Sequence, residues 1–264
     1  MAKKRENSPN LPSIAENYDG SWNSPPKAGV DAALAANVAL LAVGLVLNVF
    51  YWRSGFAFPL KCACSAGFAT LAVVNVFFAF ALKRPNRRFY VAAVFGLLGA
   101  ALGDVLIGFD FIAGAAAFGV GHLALIVAFS TARRFGRLDA ILSVALFLFA
   151  AAFLRFFPGI SFATPFLKGV CVGYAAVIST MLGKATGNAV ASQTVSNLAL
   201  ASGAFLFFFS DTMLALNVFV GRWAWTDAAC LATYFPAVYL LAFSLYLKSR
   251  TDATAERRDA TPAQ

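Results

Sequence analysis

The sequence predicts an all-α, polytopic membrane protein of eight transmembrane helices. Three observations carry that prediction. Of 264 residues, 60% are hydrophobic and only 12% are charged, about half the charge of a soluble domain. Mean hydropathy is correspondingly high, at +0.74. The apolar residues gather in eight long runs, each able to cross ~30 Å of hydrocarbon as a helix. A single soluble domain and a disordered chain are therefore both excluded. The runs are continuous rather than alternating, which excludes a membrane β-barrel.

The elements follow in order. Residues 1–31 form a polar arm with Pro9, Pro12, Pro25 and Pro26 and a basic start at Lys3, Lys4 and Arg5. No apolar run with a small-residue cleavage site directly follows that start, so no signal peptide is expected. The arm is read as flexible and cytoplasmic. Residues 32–247 hold the spans, at 32–53, 59–82, 89–108, 111–131, 138–156, 165–185, 195–217 and 228–247. Residues 248–264 are read as a disordered polar tail.

Orientation follows from counting loop cations. Sixteen Lys and Arg fall in the arm, the even-numbered loops and the tail. Five fall on the other side: Arg53, Lys61, Arg155, Lys168 and Arg222. This bias places both termini in the cytoplasm and the protein in the plasma or inner membrane, as a multi-pass protein. The net charge of +9 is read as part of that bias and not as a sign of nucleic-acid binding. Lys168 and Lys184 sit near span ends, where long side chains snorkel. Cys62, Cys64, Cys171 and Cys230 show no disulfide or metal spacing and are read as small apolar filler.

The acids point to function. Ten of the twelve lie in the arms, in loops or at span ends. Among them Asp31, Asp139 and Asp227 stand just before spans one, five and eight, where a helix cap is the ordinary role. Only Asp104 and Asp211 lie well inside apolar runs, on spans three and seven. A carboxyl at that depth is kept when it faces the bundle interior with a partner or a task. The two spans are four apart, which suggests a parallel four-plus-four repeat. In that arrangement both carboxyls face one interior cavity at similar depth. The only histidine, His122, lies on span four, one to two turns deeper than Asp104. Spans three and four must pack as an antiparallel pair, with Gly96, Gly99, Gly103, Gly114 and Gly121 allowing close approach. Tyr174, Ser179, Tyr234, Tyr239, Asn48 and Asn75 either line a pocket or make interhelical hydrogen bonds.

Several stretches together resemble a known family. Leu97 to Leu106 carries Gly103-Asp104-Val105-Leu106. Phe111 to His122 carries Gly114, Phe118 and the Gly121-His122 pair. Tyr174 to Met181, Gly203 to Asp211 with Ser210-Asp211, and Thr233-Tyr234 complete the set. In order and spacing over residues 32–247 these are similar to the YhhN-like lysoplasmalogenase family of eight-helix membrane proteins. The resemblance implies hydrolysis of the vinyl ether bond of lysoplasmalogens, giving a fatty aldehyde and a glycerophospho-alcohol. It implies Asp104 and Asp211 as a catalytic pair with His122 beside them. It also implies substrate contacts at Tyr174, Tyr234 and Ser210, and a lysophospholipid drawn from membrane lipid as partner. Two positions depart from the family: Leu125 and Val238 replace a Tyr and a Gln.

The chemistry suits two aspartates. A vinyl ether is hydrolysed by protonating its β-carbon, and water then captures the resulting oxocarbenium ion. One carboxyl must hold a proton and the other a charge, a division that adjacent buried acids favour. No metal or cofactor is needed, and one histidine excludes a three-His zinc site. Ala215 and Leu216, standing where a Schiff-base lysine would be needed, argue against a retinal protein. The competing reading is a proton-coupled transporter or channel, since buried Asp and His also build proton relays.

Overall fold

The computed structural model describes residues 28–84 and 86–260. Among them the chain forms eight helices: α1 (Ala28–Arg53), α2 (Phe58–Ala81), α3 (Arg87–Leu106), α4 (Phe111–Ala132), α5 (Arg137–Phe156), α6 (Pro165–Ala191), α7 (Val195–Phe219) and α8 (Ala224–Ala260). All eight are long and apolar enough to cross a membrane, which gives the chain a multi-pass membrane architecture. Most of the polar arm, residues 1–27, lies outside the described residues.

Local chemistry sets the helix ends. The backbone N–H groups of a first turn have no partner within the helix, so a side-chain oxygen must meet them. Asn86 accepts from the Phe89 N–H at 3.2 Å, and Asp110 from that of Ala113 at 2.7 Å. Thr164 and Thr194 do the same for α6 and α7. Proline, which lacks the N–H, opens α2 at Pro59 and α6 at Pro165.

The connections are short, so consecutive helices run antiparallel. The bundle therefore has a terminal end, where α1 begins and α8 finishes, and a far end. The closest pairs are α3 with α4, α7 with α8, and α5 with α6. Helix α8 also packs on α1, α2 and α3, and α6 also packs on α4 and α7. Glycine makes the α3–α4 seam possible: a Cβ on Gly99 would lie 2.8 Å from the Gly121 Cα. The neighbour pattern recurs along the chain. Contacts α1–α2, α2–α3, α3–α4 and α2–α8 have counterparts in α5–α6, α6–α7, α7–α8 and α6–α4, whereas α1–α8 and α3–α8 have none. Those exceptions leave the internal repeat as an expectation from helix spacing.

Large aromatic side chains fill the core, among them Phe68, Tyr90, Phe129, Phe207, Phe235 and Tyr239. Exposed apolar residues ring the outside, such as Val46, Phe50, Phe95, Ile141 and Leu148, as lipid-facing surfaces do. Most of the buried polar groups tie helices together. Asn37 and Asn75 exchange amide hydrogen bonds at 2.8 and 2.7 Å, and Asn75 also donates to the Ala242 carbonyl at 2.9 Å. Tyr239 donates to the Cys64 carbonyl at 3.1 Å, and Asn48 to that of Leu231 at 3.2 Å. For these residues the interhelical reading is the correct one.

Several expectations need correction. Helix α1 begins at Ala28, so Asp31 stands inside it rather than before it. Asp227 likewise lies in the first turn of α8. Helix α8 continues to Ala260, where a disordered tail was expected from residue 248. It can do so because alanine, arginine and glutamate have good helix propensity, which hydropathy alone does not register. Helix α6 runs to Ala191 rather than ending near 185. Lys184 is therefore interior and fully buried and does not snorkel. Its ammonium donates to Asp139 Oδ2 and to Asn188 Oδ1, both at 2.9 Å, and to the Arg134 carbonyl at 3.2 Å. Asp139 is equally buried. It accepts from the Gly136 N–H at 2.7 Å, as a first-turn acid should, and it also pairs with Arg133. This cluster locks α5 to α6 and to the end of α4.

Breaking a buried ion pair costs up to about 3–5 kcal/mol, the upper end applying where no second partner remains; Asp139 keeps Arg133 and the Gly136 N–H. Lys184→Met should therefore lower the thermal unfolding temperature of the detergent-purified protein clearly. The double substitution Lys184→Met/Asp139→Asn should recover part of that loss. Equal melting of the single variant and the parent would show that the lock contributes no stability.

Candidate active site

The two intramembrane aspartates are reached by different helices and meet different partners. Asp104 lies in the last turn of α3, with only 3% of its side chain exposed. Its Oδ2 accepts from Ser65 Oγ at 2.6 Å and from the Tyr234 hydroxyl at 2.7 Å. Its Oδ1 lies 3.6 Å from Lys61 Nζ. Lys61 and Ser65 stand one turn apart on one face of α2, and Tyr234 comes from α8. Asp104 thus joins three helices.

Asp211 lies on α7, about two turns before the far end of that helix, so the two carboxyls differ in their distance from a helix end. The Tyr174 hydroxyl of α6 donates to Asp211 Oδ2. His122 Nε2 of α4 lies 2.9 Å from the Tyr174 oxygen and 3.9 Å from Asp211 Oδ2. A phenol has one proton, and Tyr174 gives it to Asp211; the Tyr174 oxygen must then accept from His122 Nε2–H. The result is a directed chain from His122 to Tyr174 to Asp211. His122 Nδ1 is buried and has no hydrogen-bond partner among the described residues.

Aromatic rings separate the two clusters. The Phe207 ring packs against His122, with centroids 4.6 Å apart, and against Tyr234 at 5.3 Å. Phe118 closes over both Phe207 and Tyr234, each at 6.1 Å. Glycine at position 103 admits that ring, since a Cβ there would fall 2.7 Å from it.

A cavity lies between α4, α5, α6 and α7 and is closed in part by Ile107 at the end of α3. It runs from Phe111 and Phe219 near the far end to Ile178 in mid-bundle. Asp211 and Tyr174 stand on its wall; the rest of the lining is almost wholly apolar. The expectation that both aspartates face one cavity is not met, because Asp104 does not line it. The Phe118 ring, packed on Gly103, stands between the cavity and Asp104. His122 is likewise behind the wall, reaching the cavity only through Tyr174.

The expected substrate contacts also divide. Tyr174 is on the cavity wall. Tyr234 points to Asp104 instead, and Ser210 is buried and donates to the Cys230 carbonyl at 3.2 Å, tying α7 to α8. The two departures from the family pattern are packed in the core: Leu125 fills the α3–α4 seam against Gly96, and Val238 is fully buried. Lys61 and Ser65 were missed by sequence reasoning. A signal for Lys61 existed: the first turn of α2 and the last turn of α3 meet at the far end, so a lysine and an aspartate there share a depth.

The different exposure of the carboxyls is testable by thiol chemistry. In a background without the four native cysteines, Asp211→Cys should react with a small, membrane-permeant maleimide. Asp104→Cys should react at least tenfold more slowly. Equal rates would show that the Phe118 partition does not shield Asp104.

No curated protein and no solved structure matches the chain. The model of the YhhN family matches residues 64–245, a stretch that includes Asp104, His122, Tyr174, Asp211 and Tyr234. Covering well over half the sequence, this match places the chain in the YhhN family.

Proposed function

We propose that the protein is a membrane-embedded hydrolase that cleaves the vinyl ether bond of lysoplasmalogens. One observation carries the reading: a carboxyl, Asp211, backed by a Tyr–His chain, stands on the wall of an otherwise apolar intramembrane cavity. A vinyl ether attached to a hydrocarbon chain is a substrate that such a cavity can admit. The cavity is about 90 Å³, a few heavy atoms' worth of space. It accepts the reacting segment while the rest of the lipid stays in the bilayer.

The chemistry runs as follows. Asp211, as the carboxylic acid, delivers its proton to the β-carbon of the enol ether. The double-bond electrons form the new C–H bond, and the ether oxygen shares the positive charge as an oxocarbenium ion. Water adds to the α-carbon and gives up a proton to the Asp211 carboxylate. The hemiacetal collapses to a fatty aldehyde and a glycerophospho-alcohol. Tyr174 and His122 hold the Asp211 oxygen in place. Asp104 contributes a buried negative charge behind the aromatic wall, favourable to a cationic transition state in a low-dielectric surround. The paired aspartates thus serve one reaction from two positions.

The test is a panel of lysophospholipids with vinyl ether, alkyl ether and ester links, offered to purified protein in detergent. Aldehyde release from the vinyl ether alone is expected, since the saturated ether has no double bond to protonate. Asp211→Asn and Asp104→Asn should each lower turnover by ~10²-fold or more while leaving a folded protein. The double variant should be little worse than either single one, as for groups acting as a unit. Absence of turnover together with proton-linked uptake in liposomes would replace this reading by the transporter.

A further inference from the structure

The partners of Asp104 and Asp211 occupy matching places in the bundle. Asp104 on α3 takes two partners from α2 (Lys61 and Ser65) and one from α8 (Tyr234). Asp211 on α7 takes one from α6 (Tyr174), with His122 of α4 behind it. Helix α2 packs on α3 and α8 as α6 packs on α7 and α4, although the α3–α8 contact has no counterpart. The register agrees as well. Asn75 of α2 donates to a carbonyl of α8, and Asn188 of α6 donates to the Phe129 carbonyl of α4 at 3.0 Å. Lys61 precedes Asn75 by the same number of residues as Tyr174 precedes Asn188. Lys61 and Tyr174 are therefore equivalent positions, one cationic and one neutral.

We propose that Lys61 is a positioning residue of the hydrolytic site: its ammonium fixes Asp104 as a closed-off anion, leaving Asp211 as the carboxyl that carries the transferable proton. The inference rests on the hydrolase reading only for its catalytic consequence; the protonation pattern stands without it. Of the groups around Asp104, the Lys61 ammonium can only donate, whereas the two hydroxyls can donate or accept, and Ser65 Oγ also lies 3.0 Å from the Lys61 carbonyl. Ser65 and Tyr234 donate to Oδ2 while the ammonium faces Oδ1. A lysine ammonium has no lone pair to offer, so a proton on Oδ1 would face a cation. The ammonium at 3.6 Å is the contact that favours a carboxylate. One cation against one anion also leaves the buried pair neutral overall, which limits the cost of burial. Around Asp211 the described residues place no lysine or arginine within ion-pair distance. Its partners are a phenol and, behind the phenol, an imidazole. Nothing there compels the carboxyl to be charged, and it alone of the two lines the cavity.

The pattern explains a position that is otherwise costly. Lys61 lies on an apolar helix with 17% of its side chain exposed, directed inward to Asp104. A lysine serving only as a membrane-surface anchor would extend to the interface.

The experiment is infrared spectroscopy of the full-length, detergent-purified protein labelled with carboxyl-¹³C aspartate, near neutral pH. A protonated carboxyl gives a C=O band well apart from carboxylate bands, and the label identifies it as aspartate. The parent is expected to show one protonated band, lost in Asp211→Asn and retained in Asp104→Asn. Lys61→Met should add a second band, which disappears in Lys61→Met/Asp104→Asn. Lys61→Arg should keep the parental pattern, because it keeps the charge. In the vinyl ether assay Lys61→Met should lower kcat by ~10²-fold with KM little changed, and Lys61→Arg should stay within about tenfold of the parent. A parental band lost in Asp104→Asn would overturn the proposal. No parental band, or no new band in Lys61→Met, would overturn it equally. The spectra need no substrate. A correct band pattern without turnover would thus refute the hydrolase reading and leave the assignment of charge intact.

Discussion

A carboxyl placed inside a hydrocarbon layer must be met by donors, and within a helix bundle those donors have to come from other helices. Two buried carboxyls, Asp104 and Asp139, and the part-buried Asp211 impose this demand here. Asp104 draws α2, α3 and α8 together. Asp211 draws on α6 directly and on α4 through Tyr174. Asp139 gathers α5, α6 and the residue that ends α4. Helix α6 takes part in two of the three, giving Tyr174 to Asp211 and Lys184 to Asp139. The packing of apolar side chains alone cannot specify such an arrangement, because lipid tails compete for the same faces. Polar pairing fixes which helices are neighbours, and the aromatic core fills in around them.

The same constraint shapes the cavity. Helix α5 packs on α6 alone, and its charged lock is at the terminal end, through Asp139. Its other half, with Phe149, Ala150, Phe153 and Leu154, forms one wall of the cavity. The helix is thus anchored by charge at one end and bounded by apolar contacts at the other. Apolar contacts with hydrocarbon on the far side are exchangeable at little cost, whereas the buried ion pairs are not. On the proposed function, a lipid segment entering beside α5 would disturb the weaker half of the helix and leave the lock untouched.

Most of the architecture is legible in the sequence because hydropathy and loop length report on it directly. The eight runs correspond to the eight helices, and the close α3–α4 seam follows from its glycines. Asp104, Asp211 and His122 stand out because each is an ionisable residue in an apolar run. What escaped is the direction of charges near run ends. Lys184 was read as the edge of a span, yet α6 continues for nearly two turns beyond it, and its ammonium turns inward to Asp139. Lys61 was counted as a loop cation, although it begins α2 and reaches Asp104. Hydropathy measures how deep a residue lies along a helix and carries no information on the face it occupies. Asp139 shows the same blindness: its capping hydrogen bond was foreseeable from its position, its ion pairs with Arg133 and Lys184 were not. The cavity was misjudged for a related reason. Facing the interior is not the same as facing a common space, and the Phe118 ring that divides the interior has no signature in one sequence.

The partition also bears on why two carboxyls are kept when only one borders the cavity. Two acids sharing one open site would share a proton, with each position only partly competent at any moment. Separating them by Phe118, Phe207 and Tyr234 and giving one a lysine removes that ambiguity. On the proposed assignment, the charge is held behind the aromatic wall and the transferable proton on the carboxyl that lines the cavity. The arrangement keeps electrostatic influence, which acts across an aromatic ring, while preventing proton exchange, which requires hydrogen-bond contact. Tyr234 makes this concrete: its hydroxyl is committed to Asp104 and its ring to the partition, so it faces one carboxyl and shields the other.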